Sequence, residues 1–131
     1  MSSEYLGRER REFFRYRHEE GVKYQTLGKE AGRVDIGTDF INAISKDLSA
    51  SGILFTSKYI PDISSVLVMD LDYRTSRVCQ EIEERALIVN NKLVGKVVRI
   101  EENNDGSYDV GVAFVKKSDK LSKNIREFIS R

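Results

Sequence analysis

The tract Asn103-Asn104-Asp105-Gly106 constrains the fold of this chain more than any other stretch of its sequence. An Asp-Gly pair suits the left-handed backbone angles of a tight hairpin turn. Residues 93–101 lead into the turn, and apolar side chains occupy every second position after it, at Tyr108, Val110, Val112 and Phe114. A period of two residues is typical of a half-buried strand. The tract therefore predicts an antiparallel β-hairpin.

Other short segments have the apolar or β-branched character of strands. They are residues 21–27, 39–46, 52–57, 65–71 and 86–90. The glycine-containing stretch 28–37 predicts a loop or a ragged hairpin, and Pro61 marks a turn. Residues 72–84 are compatible with either a loop or a short helix.

The end of the chain has a different period. Leu121, Ile125, Phe128 and Ile129 form one apolar stripe at helical spacing, and Ser118 or Asp119 can cap its start. The stripe predicts a C-terminal α-helix over about residues 118–130, which packs over the open end of a barrel or, alternatively, binds a partner. Short strands without alternating helices, closed by one helix, indicate an all-β protein with an antiparallel β-barrel.

Composition limits the class of protein. The 131 residues suit one domain, and 22 Lys and Arg against 21 Asp and Glu give a net charge of +1, which disfavours a nucleic-acid coat protein. Cys79 is the one cysteine and His18 the one histidine, so we expect no intramolecular disulfide, metal site or histidine-based catalysis. No stretch suits a transmembrane helix or a signal peptide. We therefore expect a cytoplasmic protein that is not an enzyme, has no cofactor and does not insert into membranes.

Two short motifs carry the candidate binding chemistry. The first is RxxxR in the charge-dense segment 1–18, and the second is DxSxxG between two predicted strands. Their residues are Arg11 and Arg15, with Arg10 as an additional arginine, and Asp47, Ser49 and Gly52. Taken alone, the first is typical of a solvated tail and the second of a turn. In such a turn Gly52 allows unusual backbone angles or the close approach of another group.

In this order and at this separation, with the hairpin following, the motifs resemble the signature of the PilZ domain, a bacterial receptor module for cyclic di-GMP. The resemblance extends from about residue 8 to about residue 115. It implies one domain, in which a flexible basic arm (1–18) precedes a six-stranded antiparallel PilZ-type β-barrel with its C-terminal helix (19–131). It also implies a cyclic di-GMP site formed by Arg10, Arg11, Arg15, Asp47, Ser49 and Gly52.

These residue types suit the two phosphates and two guanines of the implied ligand. A guanidinium group pairs with a phosphate or with O6 and N7 of guanine. An ionised Asp47 accepts hydrogen bonds from the donor edge of guanine or orients an arginine, and Ser49 bridges to a phosphate or a base. Gly52 leaves room for a ring beside the backbone. Whether Arg99 adds a contact stays open at this level.

Three functions are compatible with the sequence. The first is a cyclic di-GMP receptor whose arm changes conformation on binding and signals to a protein effector, for example in motility, exopolysaccharide or biofilm control. The second is a PilZ-like protein-interaction module that does not bind nucleotide, and the third is a nucleic-acid binder that uses the basic arm. The intact motifs favour the first function over the second, and the balanced charge favours it over the third. The sequence carries no information on oligomeric state.

Overall fold

Strands dominate the described part of the chain. The computed structural model describes residues 16–17, 19–30, 33–36 and 40–119, with the backbone alone for 27–30 and 33–36. The elements along these residues are β1 (Tyr16–Arg17), β2 (Gly21–Glu30), β3 (Arg33–Ile36), β4 (Ile41–Leu48), β5 (Gly52–Ser57), β6 (Val66–Asp70), α1 (Cys79–Arg85), β7 (Ile88–Val89), β8 (Lys92–Glu102) and β9 (Tyr108–Phe114). None of the helices in this part of the chain has the length and apolar character needed to cross a bilayer.

Six of the strands form a closed barrel in the order β4-β5-β9-β8-β6-β2. Every neighbouring pair is antiparallel, and β2 closes the barrel because it pairs with β6 on one side and with β4 on the other. The remaining strands extend this barrel: β3 pairs with β2, β7 with β8, and β1 with the end of β4. The six-stranded antiparallel β-barrel expected from the sequence is confirmed.

The strand boundaries differ from the predicted ones in two places that matter. The strand predicted at 39–46 runs on to Leu48, so Asp47 belongs to β4 itself. The stretch 28–37 contains the end of β2 and all of β3, which pair as a hairpin. The arm residues Arg10, Arg11 and Arg15, and the predicted C-terminal helix from residue 120 onward, lie outside the described residues. The flexible arm and this helix therefore stay predictions.

Two turns follow from the residues that form them. The backbone N–H of Asn103 donates to the carbonyl oxygen of Ser107 at 2.8 Å, and Gly106 has a φ of 88°. Asn90 and Asn91 have φ values of 52° and 63° and join β7 to β8. Left-handed angles at both central residues match the twist of the strands that such a turn connects.

The segment that the sequence left open is partly loop and partly helix. Residues 72–78 form turns, and α1 follows. The side chains of Tyr73, Val78 and Ile82 are buried in the main hydrophobic core, so the segment packs onto the barrel. Its apolar residues recur at intervals of five and four residues, which matches neither a strand nor a regular helix. The sequence therefore did not decide between the two structures.

The barrel interior contains an aromatic pair with a satisfied polar end. The ring centroids of Tyr24 and Phe55 are 5.0 Å apart, and both side chains are fully buried. The Tyr24 hydroxyl lies 2.9 Å from Oγ of Ser57. Burial raises the pKa of Tyr24, and the hydrogen bond to Ser57 reduces this effect. The hydroxyl group is thus buried without losing its hydrogen-bond partner.

The Asp109 carboxylate connects the hairpin of β8 and β9 to the neighbouring strands β4 and β5. Asp109 accepts hydrogen bonds from Oγ1 of Thr56 at 2.9 Å, Nδ2 of Asn103 at 3.0 Å and Nζ of Lys46 at 3.1 Å. Burial by itself raises the pKa of Asp109, but the three hydrogen bonds outweigh it, so the pKa lies below its usual value. The ionised carboxylate therefore stabilises the contact between β4, β5 and β9.

Replacing Asp109 by asparagine should lower the free energy of unfolding by about 1–3 kcal/mol near pH 7, because the amide turns a donor toward other donors. Since the folded pKa is lowered, the stabilisation is complete above the unfolded value of about 3.9 and is lost as the pH falls through the folded value. Urea denaturation of both proteins near neutral pH and at about pH 3 measures this change.

The control for this prediction is Asp62→Asn, because Asp62 is exposed in the loop between β5 and β6. Its effect should stay within about 0.5 kcal/mol at both pH values. A loss of stability in Asp109→Asn that is the same at low and at neutral pH contradicts the role of the ionised carboxylate.

Candidate functional site

Ser49 shapes the connection between β4 and β5. Its Oγ accepts the backbone N–H groups of Ser51 at 3.2 Å and of Gly52 at 3.1 Å. The backbone N–H of Ser49 donates to the carbonyl oxygen of Gly52 at 2.9 Å, and the residue is only 3 % exposed. The hydroxyl group is therefore used inside the turn, as is typical of serine in this position. A direct bridge from Ser49 to a ligand stays a prediction.

Gly52 is required by the packing of the barrel. A Cβ atom at this position would lie 2.3 Å from the carbonyl oxygen of Val112 on β9, a distance that no real side chain tolerates. Of the two reasons that the sequence offered for a glycine here, the structure shows the close approach of another group, and Gly52 is not among the described residues with positive φ. The glycine allows β5 to start directly against β9.

Asp47 lies on β4, the strand that pairs with β1 at the beginning of the described chain. In β4 it pairs with Arg17 of β1, and Leu48 pairs with Tyr16. Earlier residues of β4 pair with β2, from Ile41 opposite Tyr24 to Ile44 opposite Gly21. β1 and β2 therefore lie one after the other along the same edge of β4.

The shared edge places the start of the described chain beside the second motif. Tyr16 directly follows Arg15, the last residue of RxxxR, in the sequence. Tyr16 pairs with Leu48 and Arg17 with Asp47, at the start of the DxSxxG turn. The structure thus places Asp47, Ser49 and Gly52 around one connection, while Arg10, Arg11 and Arg15 lie outside the described residues.

Arg99 faces the same turn from the neighbouring strand pair. The pairing of β8 with β9 shifts register between Val97 and Arg99, which leaves Val98 as an extra residue of a β-bulge. Val98 and Arg99 are consequently both exposed, although consecutive strand residues normally face opposite sides. The Arg99 guanidinium contacts Glu101, with Nη2 at 2.8 Å from Oε1, across an exposed ion pair. The bulge is a tertiary feature, so the sequence did not indicate where Arg99 points.

A cavity of about 140 Å³ separates the turn from this bulge. Ser49, Ser51 and Gly52 line one side, and Arg99 and Gly111 line the other. Ligand pockets for larger molecules usually measure about 300–1,000 Å³. By itself this cavity is smaller than the pockets that usually enclose such ligands.

A comparison with protein families covers nearly the whole chain. The family model of the PilZ domain matches residues 9–131, which include both motifs and the closing hairpin. This chain belongs to the PilZ domain family. No curated protein matches it.

PilZ domains are receptor modules that bind cyclic di-GMP as a ligand and act through other proteins; they are not enzymes. In this PilZ domain, no group of His, Cys, Asp and Glu side chains among the described residues is arranged to hold a metal ion. The polar groups collected around the β4–β5 turn are donors and acceptors of hydrogen bonds. They suit recognition of a polar ligand better than bond cleavage.

Gly52→Ala should lower the free energy of unfolding by about 1–3 kcal/mol, because the new methyl group forces β5 away from the Val112 carbonyl. Gly21→Ala is the matched control, since a Cβ atom there has nothing within 4 Å. This second substitution should leave stability unchanged or raise it by up to about 1 kcal/mol. Thermal or urea denaturation of the three proteins provides the comparison, and equal stability of the two variants contradicts the steric role of Gly52.

Proposed function

We propose that this PilZ domain is a cyclic di-GMP receptor in which the arm closes over the β4–β5 turn when the ligand binds. The observation that carries the proposal is the pairing of Tyr16 and Arg17 with Leu48 and Asp47. It leaves the RxxxR motif in sequence immediately before a strand that is already attached beside the DxSxxG turn. Arm and turn can therefore act on one ligand.

The arginines supply the groups that a cyclic dinucleotide requires. Guanidinium groups bind phosphate oxygens in a bidentate manner and also pair with O6 and N7 of guanine. Their planar faces stack on bases. We assign these contacts to Arg11 and Arg15, with Arg10 in support. In this proposal the three arginines contact the side of the ligand that faces away from the small cavity of the barrel.

The residues of the turn have more divided roles. Asp47 is half-buried on β4, and its carboxylate is a hydrogen-bond acceptor for the donor edge of guanine or for an arginine of the arm. Ser49 keeps the turn in shape through its hydrogen bonds to the N–H groups of Ser51 and Gly52. We assign Gly52 to the site through the close contact of β5 with β9, which sets the position of the turn.

Ordering of the arm supplies the signal. A ligand that contacts both arm and barrel selects one arm position out of many, and the population of that position rises with occupancy. A protein effector that recognises the closed arm would then respond to the second messenger. The cytoplasmic location and an output such as motility, exopolysaccharide or biofilm control stay predictions from the sequence.

Cyclic di-GMP should bind to the purified protein and raise its thermal midpoint. Binding to the folded state alone stabilises it by about 2.7 kcal/mol at a hundredfold excess over the dissociation constant. Arg11→Ala and Arg15→Ala should each weaken the affinity by about ten- to a hundredfold, since a hydrogen bond to a charged group contributes roughly 1.5–3 kcal/mol. Calorimetric titration and thermal denaturation on the same samples measure both effects.

Arg17→Ala is the control for the arm, because Arg17 is an arginine outside RxxxR whose 83 % exposed side chain pairs with Glu19. An exposed pair of this kind contributes little, so affinity and stability should stay close to those of the wild type. GTP and a short RNA serve as competing ligands. No heat and no thermal shift with cyclic di-GMP favours the protein-interaction module, whereas tight and steeply salt-dependent RNA binding favours the nucleic-acid binder.

Arg99→Ala should weaken cyclic di-GMP binding roughly tenfold with an unchanged melting temperature, because Arg99 lines the cavity and pairs only across the surface with Glu101. Lys96→Ala is the matched control: Lys96 is an exposed cation of the same strand that does not line the cavity. The two variants are compared by titration at the same ionic strength. Equal affinities would exclude Arg99 from the site.

A further inference from the structure

A cation–π contact connects Tyr16, the first residue of β1, to Arg77, which is distant in sequence. The guanidinium carbon of Arg77 lies 5.6 Å from the centre of the Tyr16 ring. Tyr16 is partly buried and packs against the main hydrophobic core, so its ring has one face toward the protein. Arg77 lies in the loop that precedes α1 and is exposed. The Arg77 guanidinium therefore contacts a Tyr16 ring that is only partly buried against the barrel.

The backbone that carries Arg77 is well anchored. Tyr73 and Val78 on either side of it are buried in the core. Within the loop, Oγ of Ser76 donates to the carbonyl oxygen of Tyr73 at 2.5 Å, and Oγ1 of Thr75 donates to Oδ2 of Asp72 at 3.2 Å. The backbone next to Arg77 is thus held by buried neighbours and by hydrogen bonds within the loop.

β1 depends on such a support. It consists of two residues, Tyr16 and Arg17, and a pairing of this length supplies very few backbone hydrogen bonds. Arg17 adds only an exposed pair with Glu19. The position of Tyr16 consequently rests on the contacts of its ring, one of which is the guanidinium of Arg77.

We propose that Arg77 is a positioning residue for cyclic di-GMP binding: through the Tyr16 ring it holds the point at which the RxxxR motif joins the barrel. The inference rests on the proposed function, because Arg15 directly precedes Tyr16. With Tyr16 held, the arm loses fewer degrees of freedom when it closes on the ligand, and the affinity rises accordingly. The role is indirect, since Arg77 acts through the ring.

Arg77 lines a different pocket from that of the candidate site. This polar pocket contains Arg77 and Tyr16 and is also lined by Arg17, Glu19 and Glu20. Its two arginines and two glutamates balance in charge, so the pocket does not select for a phosphate. The cavity beside the β4–β5 turn is lined by a different set of residues.

The test compares Arg77→Gln with Arg74→Gln. Arg74 is the matched control because it lies in the same loop and stacks at 5.9 Å over a different ring, that of Tyr73. Arg77→Gln should weaken cyclic di-GMP binding by about two- to fivefold, the effect expected of one exposed cation–π contact, and Arg74→Gln should not. Both variants should melt at the wild-type temperature.

Conservative replacements separate positioning from simple packing. Arg77→Lys and Tyr16→Phe keep the cation and the ring and should retain most of the affinity. Tyr16→Leu should weaken binding at least as much as Arg77→Gln does, and the addition of Arg77→Gln to Tyr16→Leu should cost nothing more, because the cation–π contact is already absent. In the unliganded protein, the ring-current shift of the Arg77 side-chain protons in an NMR spectrum should persist in Tyr16→Phe and vanish in Tyr16→Leu.

The outcomes distinguish the two proposals. If the wild type binds cyclic di-GMP and Arg77→Gln binds it equally well, or if Arg74→Gln loses as much, the positioning role is overturned while the receptor function stands. If the wild type does not bind at all, the receptor function fails and this role of Arg77 fails with it. Loss of affinity in Arg77→Gln and Tyr16→Leu alone supports both.

Discussion

One edge of β4 determines how this protein is built. Its first half pairs with β2 and closes the barrel, and its second half pairs with β1. Because β2 covers only the first half of this edge, the second half of β4 is available to pair with β1. Tyr16 and Arg17 therefore pair with the part of β4 that leads directly into the β4–β5 turn.

The turn itself is held from several directions. Ser49 accepts the backbone N–H groups of Ser51 and Gly52, and the carbonyl oxygen of Ser51 accepts the N–H of Phe114 at 2.9 Å. Gly52 permits the close contact with Val112. A turn fixed in this way is a rigid platform, and rigid scaffolds orient binding groups at low entropic cost. Substitutions in the turn should therefore affect folding.

The small cavity beside the turn is compatible with the receptor proposed above. Its volume of about 140 Å³ is below the roughly 300–1,000 Å³ of most pockets for larger ligands. In that proposal the arm supplies the remaining contacts, which links occupancy to the position of the arm. Membership of the PilZ family is consistent with that arrangement, since these domains bind cyclic di-GMP and pass the signal to other proteins.

The sequence by itself determined the family, the antiparallel barrel and the hairpin at Asn103–Gly106, because these depend on local patterns: alternation, turn residues and two motifs in a fixed order. Only the tertiary structure decided that Ser49 is buried in the turn, that Gly52 is required by Val112, and that a bulge turns Arg99 toward the cavity. The contact of Arg77 with Tyr16 was likewise visible only in the tertiary structure. Gly52 and Val112, like Tyr16 and Arg77, are far apart in sequence. Strand register and barrel closure bring such residues together, and no local sequence pattern encodes either of them.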